Sequence, residues 1–276
     1  MPSSLNLWRE ILFAILSGSA GFWLGRLFSW LPKGWWLLGY FIPLALILLY
    51  GVGIHFPALL SSTSAVSWLL VGRKKFLILG FVAAMVLATP LSRLPQRRDR
   101  IVIVLLIVAA VFGSSIWPFL APMFNRSQLA HLHTHMDTDG ICLQNTAYTC
   151  GPAAAVTVLR KLGLPAEEGE LAMLSQTSSA TGTPPDLLAE ALRQRYGKDG
   201  LTVDYRFFKN FEELQQAGLT LAVVKYSFMV DHYVAVLKVN DIAITVGDPL
   251  NGIQIISRED FLKQWRFCGI VLKRNL

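Results

Sequence analysis

The hydrophobic pattern changes character near residue 130. Before it, apolar runs alternate with short basic clusters, Arg26 and Lys33, then Arg73-Lys74-Lys75, then Arg93, Arg97, Arg98 and Arg100. A membrane-crossing helix needs ~20 apolar residues to span a ~30 Å hydrocarbon core, and charge is tolerated at its edges. Four spans fit, at roughly 8–25, 35–60, 76–92 and 101–124. Because the third is short and Ser64–Val71 is apolar but isolated, a three-span or re-entrant arrangement fits the same pattern. Beyond residue 137 the texture is amphipathic, with turn signals between segments. Helices are predicted from Gly151-Pro152 to Lys161 or Leu162, then at 167–175, 185–196 and 210–217. Strands follow at 201–207, 219–225, 232–239, 242–247 and 252–256, then a helix at 258–265 and a strand at 268–273. Helices first and an antiparallel-looking sheet afterwards make an α+β domain. The predicted organisation is a transmembrane helical region at 1–127, a linker at 128–139 and a folded domain at 140–276.

Charge follows the same division. Residues 1–130 carry 11 Lys/Arg against 2 Asp/Glu, and residues 131–276 carry 14 against 16, so the overall net charge of +7 belongs to the apolar half. The folded half is slightly acidic, which excludes nucleic acid as the expected partner and leaves the lipid bilayer for the first half. Seven of the eight Trp residues also lie in the apolar half, as interfacial belts require. Glu10 and Asp99 are its only carboxylates, both at predicted edges, which disfavours ion-coupled transport. No phosphate-binding G-x-x-x-x-G-K-[ST] motif occurs. Gly21 and Gly25 form a G-x-x-x-G pair, read as packing within the chain. With four spans, the loops at 26–34 and 93–100 carry six basic residues and the opposite side carries four. The positive-inside rule then places the folded domain outside the cytoplasm, anchored to the plasma or inner membrane, and losing one span reverses that side.

Cys150 stands at the start of a predicted helix, where free N–H groups and the positive end of the macrodipole favour a thiolate. Six residues upstream, Gln144 carries an amide able to donate to a developing oxyanion. His232 opens a strong strand, suited to a rigidly held general base, and Asp248 ends the next strand, where a hairpin brings it beside His232.

These residues carry a resemblance. Gln144-Asn-Thr-Ala-Tyr-Thr-Cys150-Gly-Pro, Thr181-Gly182-Thr183, Asp231-His232-Tyr233-Val234, Gly247-Asp248-Pro249 and Phe261-Leu-Lys-Gln-Trp265 resemble the C39 peptidase and C39-like domains, over about 140–274. The resemblance implies a papain-like fold, with Cys150 as nucleophile, His232 as general base and acid, Asp248 as the group orienting His232, and Gln144 as oxyanion donor. It implies a cysteine peptidase that needs no cofactor and takes a peptide or protein substrate. The best-known members are N-terminal domains of ABC exporters that cut leader peptides after a double glycine. Here the domain is C-terminal to the apolar region, and Thr149 stands where exporter domains commonly have Asp. The expected function is therefore a membrane-anchored peptidase cleaving a peptide or leader segment. The rival is a non-catalytic papain-like peptide-binding module tethered to an export or assembly system.

The remaining chemistry-bearing residues take plainer readings. His131, His133 and His135 alternate, a spacing that fits one face of an extended segment, but no further ligand motif supports a metal, and a solvated linker is expected. Cys142 and Cys268 are left over and are a candidate disulfide outside the cytoplasm. Glu167, Glu168 and Glu170 read as the solvated face of a helix start.

Overall fold

The computed structural model describes residues 4–32, 34–55, 75–227 and 230–275. The chain divides between Ala121 and Pro122 into two compact units.

In the first unit, α1 (Ser4–Ser29), α2 (Leu38–His55), α3 (Lys75–Ala88) and α4 (Arg97–Val111) are the main helices. From α4 a π-helical turn, Phe112–Ile116, leads without a break into α5 (Trp117–Ala130), so the helical stretch runs from 97 to 130 rather than from 101 to 124. Three helical stretches, Trp8–Ser29, Lys75–Arg93 and Arg97–Ala130, are long and apolar enough to cross a membrane, and Leu38–Val52 is a shorter apolar helix. Four spans were expected, with a short third one and a three-span or re-entrant arrangement as alternatives; the second, expected at 35–60, begins in turns, contains Pro43, and its 56–60 end lies outside the described residues. The isolated apolar stretch Ser64–Val71 and the Arg73-Lys74 pair lie outside the described residues.

Small residues make the packing in this unit. A Cβ on Gly21 would run into the Phe81 carbonyl oxygen of α3, and one on Gly25 into the Met85 carbonyl. The G-x-x-x-G pair is thus spent on close approach of α1 and α3 within the chain. Interior hydroxyls find carbonyl acceptors: Ser17 donates to Leu77 at 2.8 Å, Thr89 to Met85 at 2.8 Å and Ser115 to Phe76 at 2.5 Å. Where no water is at hand, such groups must be satisfied internally.

The second unit opens with the end of α5 and a short antiparallel pair, β1 (His135–Met136) and β2 (Cys142–Leu143). Three helices follow: α6 (Cys150–Lys161), α7 (Glu168–Leu174) and α8 (Pro185–Tyr196). Gly163, at φ +71°, ends α6 in the left-handed conformation that glycine adopts without strain. The sheet comprises β3 (Leu201–Phe207), β4 (Thr220–Ser227), β5 (Val230–Val239), β6 (Ala243–Asp248), β7 (Gly252–Ser257) and β8 (Trp265–Arg274). Its order is β3-β8-β4-β5-β6-β7 and every pairing is antiparallel. Two short helices, α9 (Phe211–Ala217) and α10 (Arg258–Gln264), interrupt the run of strands.

The sheet has a core on each face. One gathers Ala154, Val158 and Leu159 of α6 with Leu192 of α8 and Leu221, Ala235 and Ile270 of the sheet. The other gathers Phe211, Leu214, Phe261 and Trp265 with Val224, Val236 and Val246. This is the expected α+β architecture, with two boundary corrections. β5 begins two residues before His232, and β8 begins at Trp265 rather than 268, because Trp265 buries its indole and donates to the Cys268 carbonyl at 3.2 Å.

Candidate active site

Cys150 is the first residue of α6, and its approach is set by the glycine after it. A Cβ on Gly151 would stand 2.9 Å from the Thr183 side chain, so only glycine lets the 181–183 turn close against the helix start. Antiparallel pairing aligns Ala235 with Gly247 and Val236 with Val246. Continuing that register puts Asp248 diagonally across from His232, a separation that long side chains bridge. His232 Nε2 and Asp248 Oδ1 are 2.7 Å apart, with the side chains 8% and 9% exposed. The imidazole is also hydrogen-bonded to the Cys150 side chain. Since Nε2 faces Asp248, Nδ1 is the ring nitrogen left for the sulfur. Cys150, His232 and Asp248, read as a set from the sequence, are therefore brought together in the fold.

Each member has a physical reason to stay in place. Asp248 Oδ1 also accepts from the Leu250 backbone N–H at 2.9 Å, and Oδ2 from Asn251 Nδ2 at 2.7 Å. Burial alone would raise this carboxyl, but the bonds from His232, Leu250 and Asn251 hold it below its ordinary value. Burial likewise opposes a charged His232. The bonds to Asp248 and Cys150 and the charge of both outweigh it, raising the imidazole to about 9. That shift favours the charged form of the ring at neutral pH.

Gln144 is tied to the chain beside Asp248 through its backbone. Its backbone N–H donates to the Pro249 carbonyl at 2.9 Å, next to Asp248, and its Nε2 donates to the Thr146 carbonyl at 2.7 Å. An amide nitrogen has two hydrogens, so the bond to Thr146 leaves one to give. Gln144 Oε1 is buried with no hydrogen-bond partner. Thr149 is buried, and its hydroxyl bonds back to Thr146, closing the turn that delivers Cys150 to the helix start.

Three positions differ from their sequence readings. Glu168 is fully buried rather than solvated, because its carboxylate turns inward onto Asn145. Cys142 and Cys268 are free buried thiols and not a disulfide. Burial first, and then the charge of Glu168 for Cys142 and of Asp231 for Cys268, pushes both up to about 12. His131, His133 and His135 are exposed, and among the described residues no group of three His, Cys, Asp or Glu side chains could hold a metal ion.

Sequence reasoning missed Asn251 and Tyr226. Asp248-Pro-Leu-Asn251 has the form of a turn closed by its own Asp side chain, which is the signal that places Asn251 beside the carboxylate. Tyr226, 64% exposed, sets its ring 5.7 Å from that of His232, and no motif marked it.

Comparisons with known proteins concern the second half of the chain. Residues 139–275 match the family model described as the Peptidase C39 family, and that half of the chain belongs to the family. An uncharacterized protein of Methanothermobacter marburgensis is 33% identical over 135 residues, covering 49% of this chain and 89% of the relative. An uncharacterized protein of Methanothermobacter thermautotrophicus is 28% identical over 143 residues, 52% of this chain and 94% of the relative. Among solved structures, the peptidase domain of Streptococcus ComA, a bifunctional ABC transporter, is similar at a TM-score of 0.42 and 22% identity, over 48% of this chain and 96% of that one. A double glycine motif protease from an AMS/PCAT transporter, in complex with the leader peptide, gives 0.40 and 19%, over 52% and 96%.

Proposed function

We propose that the chain is a membrane-anchored cysteine peptidase that cleaves a peptide or leader segment by acyl transfer through Cys150. The observation that carries this reading is the His232 ring held between the Cys150 side chain and Asp248. A binding module has no need of an imidazole held between a sulfur and a carboxylate. The apolar helices of the first unit support the anchor, and with the shorter Leu38–Val52 helix counted as a fourth crossing the loop charges favour an extracytoplasmic domain.

In the proposed reaction the Cys150 sulfur attacks the substrate carbonyl carbon, whose π electrons move to oxygen. One Gln144 N–H and the backbone N–H at the helix start hold that oxyanion. As the tetrahedral intermediate collapses, the C–N bond breaks and His232 gives its proton to the leaving amine. The neutral imidazole then takes a proton from water, which attacks the thioester and returns Cys150. Asp248, fixed by Leu250 and Asn251, keeps the ring aimed throughout.

The test is the pH dependence of iodoacetamide alkylation at each cysteine, read by mass spectrometry on detergent-solubilised protein. Cys150 is expected to react far faster than Cys142 and Cys268 at neutral pH, and His232→Ala to remove that advantage. Equal rates at the three cysteines would overturn the reading and leave peptide binding as the function to pursue.

A further inference from the structure

Glu168 is a carboxylate buried to 0% exposure at the start of α7, and among the described residues it forms no ion pair. A buried charge without a cation is costly and is tolerated only when strong donors replace its water. Both donors here come from one residue: Asn145 gives its backbone N–H to Oε1 at 3.0 Å and its Nδ2 to Oε2 at 2.5 Å. The Asn145 amide also reaches the His133 carbonyl at 2.7 Å, and the Glu168 backbone N–H donates to Thr134 Oγ1 at 2.9 Å. Asn145 is therefore fixed in position and orientation by a group that has no other visible task.

The residue so fixed is the neighbour of Gln144. On its other side Gln144 is tied to the Pro249 carbonyl, adjacent to Asp248. The oxyanion-donor segment is thus strung between two anchors, Pro249 on the β6 end of the site and Glu168 on α7. We propose that Glu168 is a positioning residue for the acylation step: by gripping Asn145 it sets where the Gln144 amide stands relative to the Cys150 sulfur. This rests on the peptidase reading above, and the test is chosen so that the two fail differently.

Two reagents separate the thiolate pair from the oxyanion donor. Iodoacetamide alkylates Cys150 by displacing iodide from a saturated carbon, with no oxyanion formed. p-Nitrophenyl acetate acylates it: the sulfur adds to the carbonyl carbon, an oxyanion forms and collapses, and p-nitrophenolate leaves behind an acetyl thioester. With the full chain in detergent, Glu168→Gln and Asn145→Ala should each slow the p-nitrophenolate burst by about tenfold to a hundredfold, the cost of displacing a catalytic group by about 1 Å. Alkylation of Cys150 should stay within about twofold, and the double variant should be no slower than either single one, since both break the same link. A burst unchanged in both variants overturns the proposal. So does alkylation that slows in step with the burst or that spreads to Cys142 and Cys268, because Glu168 would then support the domain as a whole. A wild type with neither burst nor rapid alkylation of Cys150 overturns the peptidase reading, and this inference with it.

Discussion

The two units use opposite rules for the same residue types. Among the described residues of the first unit, large apolar side chains such as Leu48, Leu49, Leu105 and Val108 face outward, while Gly21, Gly25, Ala84, Ala88, Ser115 and Thr89 bring the helices close, beside a few large side chains such as Met85 and Ile107. From Pro122 onward the sheet buries Val, Leu, Ile and Phe on both faces, and interior hydroxyls such as Thr220, which donates to the Gly218 carbonyl, and Thr157, which accepts from the Cys142 N–H, are hydrogen-bonded. The proposed membrane anchor accounts for the difference through the solvent. Hydrocarbon gives apolar groups no reason to hide, so shape and hydrogen bonds select the packing; water drives burial and makes every interior polar group an exception needing a partner.

The exceptions in the second unit are therefore the place to break the comparison first. Replacing Cys150 with Ala should cost about 10⁶-fold in peptide cleavage, the scale seen when a nucleophile is removed. Thermal unfolding should barely move, since one small buried group replaces another. An unfolding temperature that falls with activity would mean that Cys150 is core rather than chemistry.

Next comes pH. His232 is raised to about 9, so its charged form is complete at neutral pH and is lost as pH climbs through that value. Cleavage should thus fall about tenfold per unit above about 9, as the proton needed by the leaving amine disappears. Asp248, held below its ordinary range, stays ionised well into acid and does not limit the reaction there. Replacing Asp248 by Asn removes a main support of the charged ring, and the alkaline limb should move to lower pH. A limb that stays near 9 in that variant would assign it to another group.

Much of this was legible in the sequence because local chemistry and local pattern agreed. The Gly151-Pro152 helix start, the His232 strand and the Gly247-Asp248-Pro249 turn each declare themselves within ten residues, and an antiparallel hairpin leaves Asp248 little choice but to meet His232. What stayed hidden depended on distant partners. Glu168 sits among other acids at a helix start, and only its bond to Asn145, 23 positions away, turns it inward. The thiols of Cys142 and Cys268 invited pairing by number alone, and burial of each in the core decided otherwise. The helical stretch from 97 to 130 outran its predicted limits because polar residues such as Asn125 and Gln128 end an apolar pattern without ending a helix.

Charge substitution sharpens the contrast between the units. Leu105 and Ile255 are both exposed large apolar residues, one in α4 and one on the edge strand β7. Leu105→Arg should cost about 2.5–3.5 kcal/mol of membrane insertion. Ile255→Arg, on a surface facing water, should change stability by no more than about 0.5 kcal/mol. The first is read from the fraction of chain integrated into microsomes, the second from chemical unfolding of the protein in detergent. Equal tolerance at both positions would remove the membrane assignment of α4.

The smallest expected effect tests packing inside the first unit and carries a change of sign. Gly21 meets the Phe81 backbone, so even the methyl of Gly21→Ala must push α1 from α3, at a cost of about 1–3 kcal/mol for overpacking. Gly51 lies within α2, with nothing among the described residues inside 4 Å of its Cβ position. Gly51→Ala should instead stabilise by about 0.5–1 kcal/mol, because alanine gives up less backbone freedom on entering a helix. Thermal unfolding in one detergent reads both: the midpoint should fall for Gly21→Ala and rise for Gly51→Ala. If both variants gained stability, helix propensity rather than close approach would govern α1, and the G-x-x-x-G pair would lose its role as the α1–α3 contact.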